Sequence, residues 1–375
     1  MIEPMPTSPR LPRRSIAWLA VALLGTHGAG AQAQEFHTSG FGTVSAVRTD
    51  NDGAQYRIRA DQARGADKTV DYGVDSNLGL QATATFGDRV SAVGQLLTAR
   101  KNSANIRPRI EWLYLQGRLA DGVDLRAGRL VMPVFLLSDS RNVGYAAHWL
   151  RSPLEVYGIY SLSSFDGVQG VLQHRFGETS VTAQLSAGRS EGKLYTGLTG
   201  DITGRRIRGL SLTAERGDWT LRVGQTVIGD LQMVFDATPL GLGTIALPTV
   251  RDKFTSYGLQ YDDGTRVVLA EYAVRRQDTG GADSNSGYVS AGWRFGKVLP
   301  YATYGNLNPK GNQFTFSGIR TTKAVGARWD VARNIALKAQ FENTERHLQF
   351  INETPSFTAS DKRVNVTSLS LDFVF

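Results

Sequence analysis

The chain has 375 residues, with 41 Gly, no Cys, 41% hydrophobic and 20% charged residues, and a formal net charge of +8. The lack of Cys excludes a disulfide scaffold, Cys-ligated zinc, iron–sulfur clusters and thiol catalysis. Gly above its usual ~7% without a Gly-X-Y period excludes collagen and points to many turns, and past the leader no apolar run reaches the ~18 residues of a membrane helix.

In chain order, Arg10, Arg13 and Arg14 come first, then the apolar stretch Ile16–Gly25, then Ala31-Gln32-Ala33. A basic segment, a short apolar segment and a small-x-small site make a secretory signal peptide, here residues 1–33 with cleavage after Ala33. The apolar stretch is too short for an anchor. Residues 34–375 are the exported body. Export without Cys suits a bacterial envelope protein.

From Ser39 onwards the sequence shows period-two alternation and no helical period. Val181, Ala183, Leu185 and Ala187 alternate with Thr182, Gln184 and Ser186. Leu210, Leu212 and Ala214 alternate with Ser211, Thr213 and Glu215. Ile335, Leu337, Ala339 and Phe341 alternate with Ala336, Lys338, Gln340 and Glu342, and the chain ends on the same pattern through Leu369, Leu371, Phe373 and Phe375. An apolar face backed by a polar one means a sheet between two environments.

Short turn signals recur at Gly87-Asp88, Ala120-Asp121-Gly122, Gly177-Glu178, Arg216-Gly217-Asp218, Asp262-Asp263-Gly264, Gly296-Lys297 and Asp330 to Asn334. Longer polar stretches lie between them, such as Arg189–Gly204, Arg275–Ser286 and Asn306–Arg320. Seven short turns pair fourteen strands, and one strand at each end, near Gly40–Val47 and Val364–Phe375, makes sixteen. Phe86, Phe176, Trp219, Tyr261, Phe295, Trp329 and Phe375 sit beside the short turns, where an interfacial girdle belongs; the second turn has Leu119 instead. The expected fold is all-β: a transmembrane antiparallel β-barrel of about 16 strands, with short periplasmic turns and long extracellular loops. A spanning sheet must close because lipid offers its backbone no partners, and at that size the lumen holds water.

Met132–Ser164 is too apolar for a free loop and too interrupted by Pro133, Gly144 and Pro153 for a strand or helix. It is expected to bend into the lumen and narrow it. The alternative is an outer cap or a subunit-contact loop.

The leader, the amphipathic strands, the inward third loop and the terminal Phe375 together resemble the Gram-negative general porins. The segment Ala127-Gly128-Arg129-Leu130 through Ser138-Asp139-Ser140-Arg141-Asn142-Val143-Gly144-Tyr145 is more similar to a porin-like group of marine and soil proteobacteria. It lacks the acidic Pro-Glu-Phe-Gly-type run of the enterobacterial proteins. The resemblance implies a homotrimer in the outer membrane, and recognition of the Leu371-Asp372-Phe373-Val374-Phe375 ending by the barrel-assembly machinery.

Alternation turns Arg126, Arg222, Arg294, Arg328 and Lys338 to the lumen. Arg129, Arg141 and Arg151 flank or sit in the third loop, and Arg107 and Arg109 begin a neighbouring strand. Asp139, Glu155 and Asp166 are the candidate opposing acids. Facing cations and carboxylates set a transverse field that selects by charge. The basic excess suggests mild anion preference, or loops bound to lipopolysaccharide. The expected function is passive diffusion of small hydrophilic solutes without catalysis; a substrate-specific channel and an adhesin barrel are the alternatives.

Other motifs fit this frame. Arg216-Gly217-Asp218 is turn chemistry. Asp50-Asn51-Asp52-Gly53 has Gln55 and Asp61 where a calcium loop needs Gly and Glu, so it is expected to be a solvated loop tip in a region, Arg48–Asp75, rich in charge of both signs. Arg205-Arg206-Ile207-Arg208 lacks the aromatic interleaving of a nucleic-acid site. His37, His148, His174 and His347 stand in no hydrolase motif; only a Ser–His pair built across strands would serve an enzyme. No cofactor or metal is expected.

Overall fold

The structure is a computed structural model and describes residues 35–51, 55–100, 106–160, 162–195, 198–310, 319–348 and 360–375. The expected leader and cleavage site lie outside these residues. The first strands are β1 (Glu35–Thr49), β2 (Asn77–Phe86), β3 (Val90–Arg100), β4 (Ile106–Ala120), β5 (Val123–Val131), β6 (Ser164–Phe176), β7 (Thr179–Tyr195), β8 (Thr199–Arg216) and β9 (Trp219–Asp236). They are followed by β10 (Thr244–Ala246), β11 (Val250–Asp262), β12 (Arg266–Gln277), β13 (Ser284–Trp293), β14 (Val298–Pro309), β15 (Ile319–Ala332), β16 (Ile335–Leu348) and β17 (Ser360–Val374). β10 is a short strand inside the β9–β11 connection. The other sixteen form a closed antiparallel barrel, because β9 pairs with β11 and β1 pairs with both β2 and β17.

The expected turns occur where the sequence put them. In the tight β6–β7 and β8–β9 turns Gly177 and Gly217 take φ of 59° and 54°, which a side chain would strain. All short turns lie at one end of the barrel and the long connections at the other, since successive strands are antiparallel.

The sheet is inverted relative to a soluble core. Val44, Leu115, Leu185, Leu221 and Val325 point outward and are 51–60% exposed. Thr43, Ser45, Ser211, Thr226, Ser290, Gln340, Ser368 and Asp372 point inward and are buried. Greasy side chains on the outer wall and hydroxyls and amides in the bore are what hydrocarbon outside and polar surroundings inside select. Two apolar sheets meeting face to face would show the reverse.

Closure rests on a tight seam. Gly40 and Phe375 exchange backbone hydrogen bonds of 2.8 and 2.9 Å. The rings of Phe375 and Phe373 lie over Gly40 and Gly42, where a Cβ would come within 2.2 and 2.4 Å of ring carbons. Only glycine lets the last strand lie flat on the first there.

Two expectations about connections change. β7 and β8 run on to Tyr195 and back from Thr199, so most of the stretch Arg189–Gly204 is paired strand. Arg275–Ser286 likewise shrinks to the six residues 278–283. Above the apolar band both faces meet water, so alternation fades while backbone pairing continues. Past the expected tip at Asp50–Gly53, much of the region to Asp75 folds inward: Tyr56, Arg57, Asp61, Gln62, Asp71 and Asp75 are buried. Charged residues of both signs satisfy one another there, as in Arg100 with Asp71 at 2.6 Å. Residues 52–54 of the discounted calcium-like run lie outside the described residues.

Candidate pore constriction

The described residues of the segment 132–163 lie inside the barrel, held by inward-facing side chains of β9, β11, β12, β15 and β16. Arg222 donates to the carbonyls of Pro133 and Val134, and Ser256 Oγ donates to Val134 O at 2.6 Å. Glu271 accepts from the Leu136 amide at 2.7 Å and from the hydroxyls of Tyr157 and Tyr288. Arg328 donates to the carbonyls of Tyr145 and Ala147 at 2.6 and 2.9 Å. Lys338 donates to those of Gly144, Ala147 and Trp149 at 2.7, 2.9 and 2.9 Å, and pairs with Asp372 at 3.0 Å. Irregular backbone carries carbonyls without partners, and Arg and Lys are donors only, so the wall supplies what the loop lacks. Phe135, Trp149, Tyr157 and Tyr160 complete the anchorage by packing on Phe254, Tyr288 and Leu299. Arg222, Arg328 and Lys338 do face inward as alternation requires, but they grip the loop.

Arg151 and Glu155 secure the base of the same segment. Arg151 forms a two-point pair with Asp75, a pair with Glu342, and hydrogen bonds to Ser368 Oγ at 3.0 Å and Tyr56 Oη at 3.2 Å. Glu155 pairs with Arg320 at 2.9 Å and accepts from Thr322 at 2.6 Å. Both are buried, at 7% and 1% exposed, so neither meets a passing solute. Their expected place on the open constriction is corrected to an anchoring one.

A second correction concerns Arg129 and Asp166. They pair in two-point fashion at 2.8 and 3.0 Å across β5 and β6. Arg129 has the parity of Leu125, and Asp166 that of Val168; both of those are exposed on the outer wall. Their neighbours Leu130 and Phe165 point into the barrel. Strand parity therefore places this pair outside the barrel.

The remaining candidates converge between the seated loop and the wall of β1–β6. Arg126 donates to Gln116 at 2.9 Å and Gln169 at 3.3 Å, and its guanidinium lies 5.7 Å from the Tyr114 ring. Asp139 projects from the loop and is exposed, although protein surrounds it closely. That surrounding low-dielectric matter pushes its carboxyl above the usual range, against the pull of Arg126 and Arg222. Nearby, Arg141 lies over the Phe135 ring at 5.6 Å, and its neighbour Asn142 donates to Glu111 at 3.4 Å. Arg109 pairs with Glu111 at 2.8 Å, and Arg59 lies 3.5 Å from Asp61. These side chains line a cavity of about 20 Å³ that includes Arg141; a second, of about 90 Å³, adds Thr43 and Asn77. Arg107 is exposed at the upper end of β4, on the same face as Arg109.

Sequence reasoning missed Arg59, Asp61, Asp75, Glu111, Glu271 and Glu342. Glu271 and Glu342 were within reach, since each falls on the polar parity of its strand. Arg59, Asp61 and Asp75 carried no signal, because a first loop folding inward leaves no period. A Ser–His contact does occur, but between the loop and the wall rather than across adjacent strands: His148 Nε2 lies 2.8 Å from Ser290 Oγ of β13. Both are enclosed beneath Trp149 and Tyr301, and burial pushes His148 down to about 3, with Lys338 adding to it. It is a buried, neutral packing imidazole.

No protein-family model matches the chain, and no curated protein matches it by sequence. Solved structures do match. OmpT of Vibrio cholerae, an outer-membrane protein, aligns at 14% identity over 92% of this chain and 99% of its own, with a TM-score of 0.58. An anion-selective porin from Comamonas acidovorans aligns at 13% identity over 91% of this chain and 100% of its own, also at 0.58. The outer-membrane channel DcaP of Acinetobacter baumannii aligns at 12% over 91% and 97%, at 0.55. The chain has a porin-like outer-membrane barrel fold. One OmpT structure, at 14% identity and a TM-score of 0.58, is described as a trimer form.

Proposed function

We propose that this barrel is an outer-membrane porin: a water-filled channel for passive diffusion of small hydrophilic solutes and ions, narrowed by the segment 132–163. The observation that carries the reading is the polar strip between seated loop and wall, with Asp139 of the loop opposed by Arg126 of β5. Charges of opposite sign across a narrow wet gap orient water and bias ions by sign. Arg59, Arg107, Arg109 and Arg141 outnumber Asp61, Glu111 and Asp139 along it, which supports a mild anion preference. The anion selectivity named for the Comamonas acidovorans porin is in keeping with this. Short turns then face the periplasm and long loops the exterior. Residues 1–33 serve as the export signal, cleaved after Ala33, and Phe375 is presented to the barrel-assembly machinery. Catalysis plays no part.

The uneven outer wall supports a homotrimer. Above Phe86, β2–β5 expose Leu78, Leu80, Leu96, Ile110, Leu113, Leu115 and Leu125, while β9–β14 expose Trp219, Tyr257, Tyr272, Trp293 and Tyr304. Aromatic rings gather where a barrel meets headgroups, and a largely aliphatic wall, with Arg129 paired to Asp166 at its edge, suits contact with other subunits. The trimer form of OmpT agrees.

The test is the reversal potential in a planar bilayer across a salt gradient. Stepwise ion conductance with a reversal potential on the anion side is expected. Absence of conductance from folded protein would favour a barrel acting through its loops. Saturable block by a single solute would favour a substrate-specific channel.

A further inference from the structure

Three guanidiniums meet where the first and third loops close on β4. Arg59 of the first loop, Arg109 of β4 and Arg141 of the third loop line a recess of about 20 Å³, together with Asp61, Glu111 and Asn142. Its acids are already engaged. Glu111 accepts from Arg109 Nε at 2.8 Å and from Asn142 Nδ2 at 3.4 Å, and Asp61 lies 3.5 Å from Arg59 Nε. Its donors are not all engaged. Arg109 Nη1 and Arg59 Nε are buried without a hydrogen-bond partner among the described residues. Arg141 forms neither an ion pair nor a hydrogen bond among the described residues and lies over the Phe135 ring.

A second cavity, of about 90 Å³, shares Arg59, Arg141 and Asn142 with the recess and adds Ile58, Leu137 and Val143. Asp75 also borders it but is held by Arg151. The joined cavities are therefore cationic at one end and carry apolar side chains at the other. An enclosed guanidinium with idle N–H groups is costly, and an acceptor is the partner it lacks. In the recess, three guanidiniums against the two carboxylates of Asp61 and Glu111 leave a surplus of one positive charge. A water molecule would occupy a donor there without offsetting that charge.

We infer that the two cavities together bind one short-chain monocarboxylate, its carboxylate among Arg59, Arg109 and Arg141 and its alkyl tail against Ile58, Leu137 and Val143. This deepens the channel reading and rests on it for its role: the site holds a class of acids in transit rather than a single solute. The single surplus charge selects a monoanion, since a second negative charge would stand beside Asp61 and Glu111. Idle guanidinium N–H groups select a carboxylate, whose two oxygens accept in parallel from such a fork. The apolar end selects an alkyl acid over a bare inorganic ion. The size of the second cavity keeps the chain short. Arg59 and Ile58 come from the first loop, so the site exists only while that loop is folded inward.

The full chain, folded in detergent micelles, is titrated near neutral pH with acetate, propionate and butyrate, and binding is read by saturation-transfer NMR. Chloride conductance is measured in planar bilayers in parallel. Affinity should rise about threefold to fourfold per methylene, as each is buried against the tail walls. Butyramide, the uncharged counterpart, should not compete with butyrate, and inorganic phosphate should bind less well than butyrate. Arg141→Gln should weaken butyrate more than about tenfold. Ile58→Thr combined with Val143→Thr, which changes no charge, should bring butyrate down to the affinity of acetate. No binding of butyrate, binding without chain-length dependence, competition by butyramide, tighter binding of phosphate, or wild-type butyrate affinity in either variant would each overturn the assignment. The wild-type series needs no substitution, so it decides the matter even if a variant misfolds. Chloride conductance without butyrate binding would reject this site alone; butyrate binding without conductance would reject the channel reading alone.

Discussion

Replacing Arg151 by Met should release the constriction segment. The guanidinium is buried and satisfies Asp75, Glu342, Ser368 and Tyr56 at once. Asp75 and Glu342 are themselves 8% and 3% exposed. Met has similar length but no charge, so the substitution leaves two enclosed carboxylates facing each other without a cation. Removing one partner of a buried ion pair costs about 3–5 kcal/mol, most of it the uncompensated charge that remains. Much of that cost should fall on the loop, because the loop can leave the wall while the barrel's backbone ladder stays paired. Arg151→Met should therefore show noisy, enlarged single-channel currents in planar bilayers and a lower urea midpoint. Adding Asp75→Asn and Glu342→Gln removes the stranded charges and should restore the midpoint to within about 1–2 kcal/mol of wild type. If Arg151→Met alone had wild-type currents and midpoint, the guanidinium would not be what holds the loop.

Asp139→Asn should shift the reversal potential further toward anions, and Arg126→Gln should shift it toward cations; equal shifts of one sign in both would refute their opposition. Because burial raises the Asp139 carboxyl, acidification should neutralise it at a higher pH than an ordinary carboxylate. Anion preference should then rise as pH falls, and Asp139→Asn should abolish that dependence. His148 supplies a stability prediction. Its folded value is near 3 and its unfolded value near 6.5, so between these the unfolded chain holds the extra proton. Its contribution is intact above about pH 6.5 and lost as pH falls toward 3, by up to about 1.4 kcal/mol per pH unit. His148→Gln should flatten the acid limb of a urea-midpoint profile. At the seam, Gly42→Val would drive a side chain into the Phe373 ring, an overpacking cost of about 1–3 kcal/mol. Slower acquisition of the heat-modifiable folded band on gels would show it.

What the sequence revealed, and what it hid, follows one physical boundary. Where lipid wets one face of a strand and the lumen the other, side chains alternate, and strand count, turns and inward parity can be counted from residues such as Leu185 and Ser186. The same parity, applied strictly, would have turned Arg129 and Asp166 outward: they stand an even number of positions from Leu125 and Val168 on the lipid wall. They were misplaced because proximity to the loop outweighed period. Inside the bore the rule fails. The described parts of the loops 55–76 and 132–163 lie between walls of the bore rather than between lipid and lumen, so no period marks Arg59, Asp75 or Glu155, and the loops are fixed by pairing across long stretches of chain, as between Arg151 and Glu342. The loop could be foreseen as a lumen element from its Phe135, Trp149 and Tyr157, which no solvated loop would carry, but not which wall it would choose. That wall is chosen by donors. Arg222, Arg328 and Lys338 lie on β9, β15 and β16, and the loop's bare carbonyls settle there, away from the opposite side, where Arg126 faces two glutamines, the Tyr114 ring and an acid.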